Sequence, residues 1–362
     1  MATLKECCTI LTDGDWIESK DQSDDGIRLI QTGNIGKRGF LEKETRKKYI
    51  SKETFSRLGC TEVFPGDILI SRLPDPVGRA CIVPESCERM ITAVDCSILR
   101  VNPQIVCKEY LLFFLDSPAY YRQLSSKLAG TTRVRISRKN LENVQIVIPS
   151  VSVQCDIVQK LNTVNRIIIA RKKQIKAFDS LIKARFGEMF CDKGLPVLKW
   201  NDVFNTTTGK LDSNAMVANG EYPFFTCAKE VFRIDKYAFD QEALLLAGNN
   251  AAGKYDVKYY RGKFNAYQRT YVLGLKQDWS YRLFQYQLEG KLDYLKQQSL
   301  GGLTKYLTMK ILGELSFIIP PLDKQMEFEQ FVKQVDKSKV VVQKALDKAQ
   351  QLFDSLMQQY FG

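Results

Sequence analysis

The chain has 362 residues, 44% of them hydrophobic, with a formal net charge of +12 and no histidine. That length accommodates two domains, and the apolar fraction excludes a disordered chain. The lack of His removes Ser-His-Asp and Cys-His catalysis and most transition-metal sites, while the positive balance favours a polyanionic partner.

Residues 1–6 lack the apolar core of a signal peptide, and no run approaches a membrane span, so a cytoplasmic chain is expected. The ten cysteines form no Cys-x-x-Cys pair, which reads as reduced thiols and no zinc site.

A first module is expected over residues 1–150. Thr12-Asp13-Gly14-Asp15-Trp16 is turn-rich, and a short strand lies within 26–35. Further strands are expected over 68–72, 78–83 and 93–101, and helical periodicity over 108–129. Arg72 and Arg79 fall in the strand segments and join the candidate DNA contacts. Residues 130–139 carry four basic side chains, Arg133, Arg135, Arg138 and Lys139, and the arginines alternate in a strand-like pattern after Gly130. Such clusters neutralise phosphates, whereas scattered pairs such as Lys47-Lys48 and Lys172-Lys173 read as solvated surface.

A long helix follows, assigned to 151–192, entered through Ile148-Pro149 and closed by Phe178-Asp179-Ser180-Leu181 and Phe186-Gly187. The same words return in a second helix, assigned to 321–362, entered through Ile319-Pro320 and closed by Phe353-Asp354-Ser355-Leu356 and Phe361-Gly362. The entry signals lie 171 residues apart and the closing signals 175, so the second helix is expected to be four residues longer. Gly130 and Gly301, Leu141 and Leu312, and Gln154 and Gln325 keep the 171 offset. Apolar residues step four-three in both helices. The first seam is Ile157, Leu161, Val164, Ile168, Ile175, Phe178, Ile182 and Met189, interrupted by Arg171 and Arg185. The second is Phe328, Val332, Val335, Val342, Leu346, Ala349, Phe353, Leu356 and Tyr360, interrupted by Lys339. This is the period of helices packed along their length, and two such helices pair most simply with each other, antiparallel.

Between the helices, residues 193–320 form a second module. Strands are expected over 243–247 and 266–275 and a helix over 281–298. Residues 255–263 interleave aromatic and basic side chains, among them Tyr259, Arg261 and Lys263, with Arg269 beyond and Lys305 in the stretch equivalent to 130–139. Gly248-Asn249-Asn250-Ala251-Ala252-Gly253-Lys254 fits a P-loop string, but Tyr255 stands where Ser or Thr would hold magnesium, and no helix follows. The loop reads as a Gly-Asn turn whose Asn249, Asn250 and Lys254 can approach a base edge or phosphate. The fold class expected is α+β: two mixed α/β modules joined by a long antiparallel helical pair, an internal pseudo-twofold duplication.

This organisation resembles the specificity subunit of a Type I restriction-modification enzyme over nearly the whole chain. Gly66-Asp67-Ile68-Leu69, Tyr222-Pro223-Phe224-Phe225-Thr226, the two Ile-Pro-x-x-x-x-Gln entries and the two Phe-Asp-Ser-Leu closings carry the resemblance. It implies two target recognition domains, each reading half of a split asymmetric DNA site, with the helices as a ruler and as a docking surface for two modification subunits. Those partners would bring S-adenosylmethionine and adenine methylation. Restriction subunits would bring ATP- and magnesium-dependent translocation and cleavage. The resemblance implies no catalytic residue, cofactor or metal in this chain. Asn102-Pro103-Gln104-Ile105 lacks the second Pro and the aromatic residue of an amino-methyltransferase motif, which argues against an enzyme. The other reading is a duplicated coiled-coil scaffold whose modules bind protein or RNA.

Overall fold

The computed structural model describes residues 1–130, 134–191, 193–250 and 253–362. The chain divides into two compact units, residues 1–172 with 344–362, and residues 173–343. Each unit therefore holds one module with half of each long helix.

In the first module, a four-stranded antiparallel sheet has the order Cys8–Asp13, Cys96–Val101, Ile68–Ser71, Ala80–Ile82. A three-stranded sheet has the order Tyr49–Ile50, Ile27–Ile30, Met90–Thr92, with the last two parallel. Strands 27–30, 68–71 and 90–92 are buried throughout, which is why they read as short apolar runs without alternation. Ala2–Thr3 pairs with Gln145–Ile146 and closes the module.

The second module repeats this topology in one six-stranded sheet. Its order is Phe204–Thr208, Thr270–Leu275, Phe239–Ala247, Val257–Ala266, Tyr222–Phe225, Phe232–Ile234. Again one pair is parallel, Tyr222–Phe225 with Val257–Ala266. The ten-residue strand Val257–Ala266 does in one piece what Ala80–Ile82 and Met90–Thr92 do in two. Pro84 explains the break, because it has no N–H for a ladder and sits before a polar run. Val197–Lys199 pairs with Ser316–Ile318, closing the second module as the first is closed.

Two expected helices are each split. Pro118 begins a new helix, Pro118–Ser125, behind a Ser117 cap, so 108–129 is not continuous. In the second module Gly290 ends Tyr281–Glu289, and Leu292–Gln298 follows. The strand expected over 266–275 begins only at Thr270.

The long helices are Val151–Phe190 and Leu322–Phe361, each 40 residues. The expected four-residue excess of the second is thus not a difference in length, because the first continues past Phe186-Gly187 to Phe190. Within the second unit, Ile182, Phe190, Phe328, Val332 and Val335 share one buried cluster with Leu283. Arg185 pairs with Glu327 at 2.6 Å, and Lys339 pairs with Asp179, so numbering rises on one helix as it falls on the other: the segments are antiparallel. Exposed ion pairs of this kind fix direction more than stability. Burial of the apolar seam supplies the energy, about 1.5–3 kcal/mol for each fully buried side chain.

Within the first unit Ile157, Leu161, Val164, Ile168, Leu346, Ala349 and Phe353 are buried. The rest of the expected seam is less deeply buried, although Phe178 and Met189 pack against the cluster of Ile182 and Phe328. Ile175, Phe178, Met189, Leu356 and Tyr360 are half-buried, while Phe190, Met357 and Phe361 are buried. The phase moves because each helix end turns its aromatic face toward a module. Phe361 lies 5.0 Å from Tyr110, Phe353 6.2 Å from Phe113, and Phe186 4.8 Å from Tyr286, centroid to centroid.

Each helix entry is held by a buried glutamine. Gln154 accepts from the Cys107 N–H (2.8 Å) and donates to the carbonyls of Ile105 (3.0 Å) and Pro149 (2.9 Å). Gln325 accepts from the Ser280 N–H (3.1 Å) and donates to the Pro320 carbonyl (2.8 Å). Cys107 and Ser280 are the N-cap residues of Lys108–Phe114 and Tyr281–Glu289. Replacing either glutamine with Leu leaves the N-cap amide unbonded and should cost about 1–3 kcal/mol in urea denaturation of the full chain. Faster hydrogen exchange at Cys107 or Ser280 is expected alongside, and an unchanged midpoint would refute the latch.

Candidate nucleic-acid interface

The same antiparallel bridge stands in both modules. Ala129 and Arg135 exchange backbone hydrogen bonds at 2.9 and 2.8 Å, and Leu300 and Tyr306 do so at 3.1 and 2.9 Å. Gly130 and Gly301 follow the first partner with φ of 99° and 98°, a conformation that side chains resist. Two residues past each hairpin, Ser137 and Thr308 cap short helices, Arg138–Glu142 and Met309–Gly313, which bury Leu141 and Leu312. The strand-like reading of 130–139 is therefore corrected: a single bridge at Arg135 is followed by a helix, because Ser137 is a good N-cap. Arg133 lies outside the described residues. Arg135, Arg138 and Lys139 are exposed, and Arg138 pairs with Glu142 at 3.3 Å.

In the second module, the hairpin is joined to the Gly-Asn loop. Asn249–Asn250 pairs with Lys305–Tyr306, and the Leu307 N–H donates to the Gly248 carbonyl at 2.8 Å. The Gly248 N–H donates to the Arg269 carbonyl at 2.8 Å, which brings the 267–269 turn alongside. Gly253 has φ +62°, and a Cβ there would lie 3.2 Å from Lys296 Cγ and 3.6 Å from Lys305 Cγ. Asn250 Oδ1 accepts from the Lys254 N–H at 3.3 Å, so this amide shapes the loop. Asn249, Asn250, Lys254, Arg269 and Lys305 thus come together, although they span 57 positions of sequence. Lys296, absent from the sequence expectations, joins them, because its place on Leu292–Gln298 depended on the break at Gly290. Lys254, Arg269, Lys296 and Lys305 have no acidic partner among the described residues. No helix opens after Lys254, as expected of a turn between strands.

Tyr259, Arg261 and Lys263 belong to a separate place on the strand Val257–Ala266. Tyr259 donates to Glu242 at 2.6 Å, and burial together with that carboxylate pushes its hydroxyl up to about 12. Tyr259 and Arg261 line a cavity of about 840 Å³ that also holds Glu242, Glu329 and Lys333. Three carboxylates, Glu242, Asp278 and Glu329, offset three cations, Arg261, Lys276 and Lys333, so the hollow carries no net positive charge to draw a phosphate despite its size. Lys263 is exposed and lies 4.8 Å from the Tyr237 ring.

The family model for the Type I restriction modification DNA specificity domain matches residues 1–177 and again 193–349. The chain belongs to this family. The Escherichia coli Type I restriction enzyme EcoDI specificity subunit is 39% identical over 127 residues, 34% of this chain and 27% of that protein. The match thus spans about a quarter of the length of that curated relative. The Type-I restriction-modification system S subunit from M. genitalium shares the fold with TM-score 0.64 at 14% identity, over 99% of this chain and 95% of that one. A chain from a structure on complex assembly and conformational transition of the type I R-M system gives TM-score 0.56 at 17% identity, over 99% and 96%.

Two candidate contacts of this specificity-domain chain prove to be interior supports. Arg79 is buried, and its guanidinium donates to the carbonyls of Ile35 (2.7 Å), Leu73 (2.7 Å), Pro76 (3.1 Å) and Thr32 (2.8 Å). Burial lowers its pKa, and the four carbonyls satisfy its fork in place of an anion. Arg72 is likewise buried, donating to the Val94 carbonyl at 2.6 Å and facing Asp13 at 3.5 Å. Neither lies within a strand: Arg72 follows Ile68–Ser71 and Arg79 precedes Ala80–Ile82, and sequence does not reveal which way such flanking side chains face. Arg79→Met should destabilise the full chain by about 3 kcal/mol, since two buried and two part-buried carbonyls lose their donor. Thermal denaturation checks this. A normal melting temperature with weakened DNA binding would instead return Arg79 to the surface.

Proposed function

We propose that this chain is the DNA-reading subunit of a Type I restriction-modification complex. The observation that carries the proposal is the duplicated frame. Hairpin, capped helix, closing strand, proline and latched glutamine recur in two modules at a constant offset, and the second presents a cluster of unpaired lysines and arginine. Each module reads one half of a split site, with phosphate contacts giving affinity and loop contacts giving sequence. The chain carries no catalytic group. Two modification subunits supply S-adenosylmethionine and adenine methylation, and restriction subunits supply ATP- and magnesium-driven cleavage. Among the described residues no helix is long and apolar enough to cross a membrane.

Base-resolution methylation mapping tests this reading. A strain carrying the chain with its modification subunit should show methyladenine in a split motif that vanishes when the chain is deleted. No change, with an active modification subunit present, would favour the scaffold.

The helices act as a ruler. Forty residues give a helix of roughly 60 Å, more than the one turn of DNA, about 34 Å, that separates adjacent half-sites. Removing one helical turn, four residues between 340 and 350, should change the number of base pairs between the half-motifs and leave both half-motifs intact. Unaltered spacing in the mapped motif would sink the ruler.

A further inference from the structure

We infer that the hairpin 300–306 is a finger that enters a groove of the duplex, with Leu303 against the bases and Lys254, Lys296 and Lys305 on flanking phosphates. The inference rests on the DNA-reading proposal and names the element that does the reading in the second module.

Three observations converge. First, the tip is built to project. Leu303 is 95% exposed, the highest among the exposed large hydrophobic residues described. A Cβ added at Gly302 would meet nothing within 4 Å, so the chain beside Leu303 is open at that position. Second, the base of the hairpin is hydrogen-bonded on both sides. Gly301 is obligatory, since a Cβ there would sit 2.2 Å from the Thr304 carbonyl oxygen. The arm is bonded on one side through Leu300 and Tyr306, and on the other through Asn249 and Asn250. A base bonded in this way reduces the ordering entropy that opposes insertion. Third, the tip is flanked by charge of one sign. Lys305 is in the arm itself, and Lys296 packs beside it across Gly253, next to Lys254.

An exposed leucine alone indicates nothing. A leucine on a hydrogen-bonded projection among unpaired lysines suits a polyanion whose interior is apolar, and duplex DNA has that chemistry. Apolar side chains reach base edges and thymine methyls in the grooves and can wedge into base steps, while lysines take the phosphates. The 840 Å³ hollow lacks this combination: it is concave, and its three carboxylates offset its three cations.

The test uses the full chain assembled with its modification subunits and two duplexes, one with the mapped site and one with the second half-site scrambled. Leu303→Ala should weaken binding to the site duplex about tenfold, with little change for the scrambled duplex and no change in salt slope. Lys254→Gln and Lys305→Gln should weaken both duplexes alike and each reduce the salt slope by about one. If Leu303→Ala leaves the site preference at the wild-type value, or weakens both duplexes equally, the finger is overturned while DNA reading stands. A wild-type complex with no preference for the site duplex overturns both.

Discussion

A buried primary amide at the start of each long helix sets the geometry on which the rest depends. Gln154 is 0% exposed and Gln325 1% exposed, and each bonds the N-cap amide of a helix in its own module and the proline carbonyl at its own helix entry. A buried amide is tolerated only when its donors and acceptor find partners, so the angle between helix and module is tightly specified. Apolar burial could not do this alone, because it is non-directional. The division of labour is clear at the far ends, where Phe361 packs on Tyr110 and Phe114, and Phe186 and Phe190 pack on Phe328. There the aromatic area supplies energy, while at the entries a few hydrogen bonds supply direction.

Most of this frame was legible in the sequence because it is written twice. Repetition at one offset tied Gly130 to Gly301 and Gln154 to Gln325, and the hairpins and latches follow those pairs. The seam was legible along most of the helices and shifted phase at the end of the second. Leu356 and Tyr360 continue a 3.5-residue step, but the buried residues are Met357 and Phe361, which lie four and eight positions past Phe353. A straight helix end facing a module follows its own period of 3.6. Residues that flank the strands were less legible. Arg72 and Arg79 read as available charge, yet they hold carbonyls in the interior, and only the folded ladder shows which way they point.

The candidate interface was half-legible for a related reason. The Gly-Asn loop and the 301–306 stretch were each visible as strings, but nothing in their spacing paired Asn250 with Lys305 or placed Lys296 beside both. Interfaces assembled from loops depend on turn geometry, and turn geometry here rests on single residues such as Gly253 and Gly301. Where the two modules differ most, the difference also has a local cause. Pro84 divides one strand into two sheets, and its absence lets Val257–Ala266 join six strands.

Net charge of +12 does not by itself locate a binding surface, since many basic side chains are committed elsewhere. Arg100 is held by Asp67 at 2.7 Å, Arg28 by Glu42 and Glu88, and Arg89 by Glu62 at 2.8 Å. Such pairs cancel at a distance and contribute little field. What remains unpaired near the second hairpin is a small set of lysines and Arg269 on one loop cluster, where their potentials add. A cluster of that kind holds any duplex and distinguishes none, because every phosphate is alike. Discrimination needs a group that reaches past the phosphates on a support rigid enough to register a misplaced base. The same hairpin that carries Lys305 also exposes Leu303, so in the finger we propose attraction and discrimination share one hydrogen-bonded support.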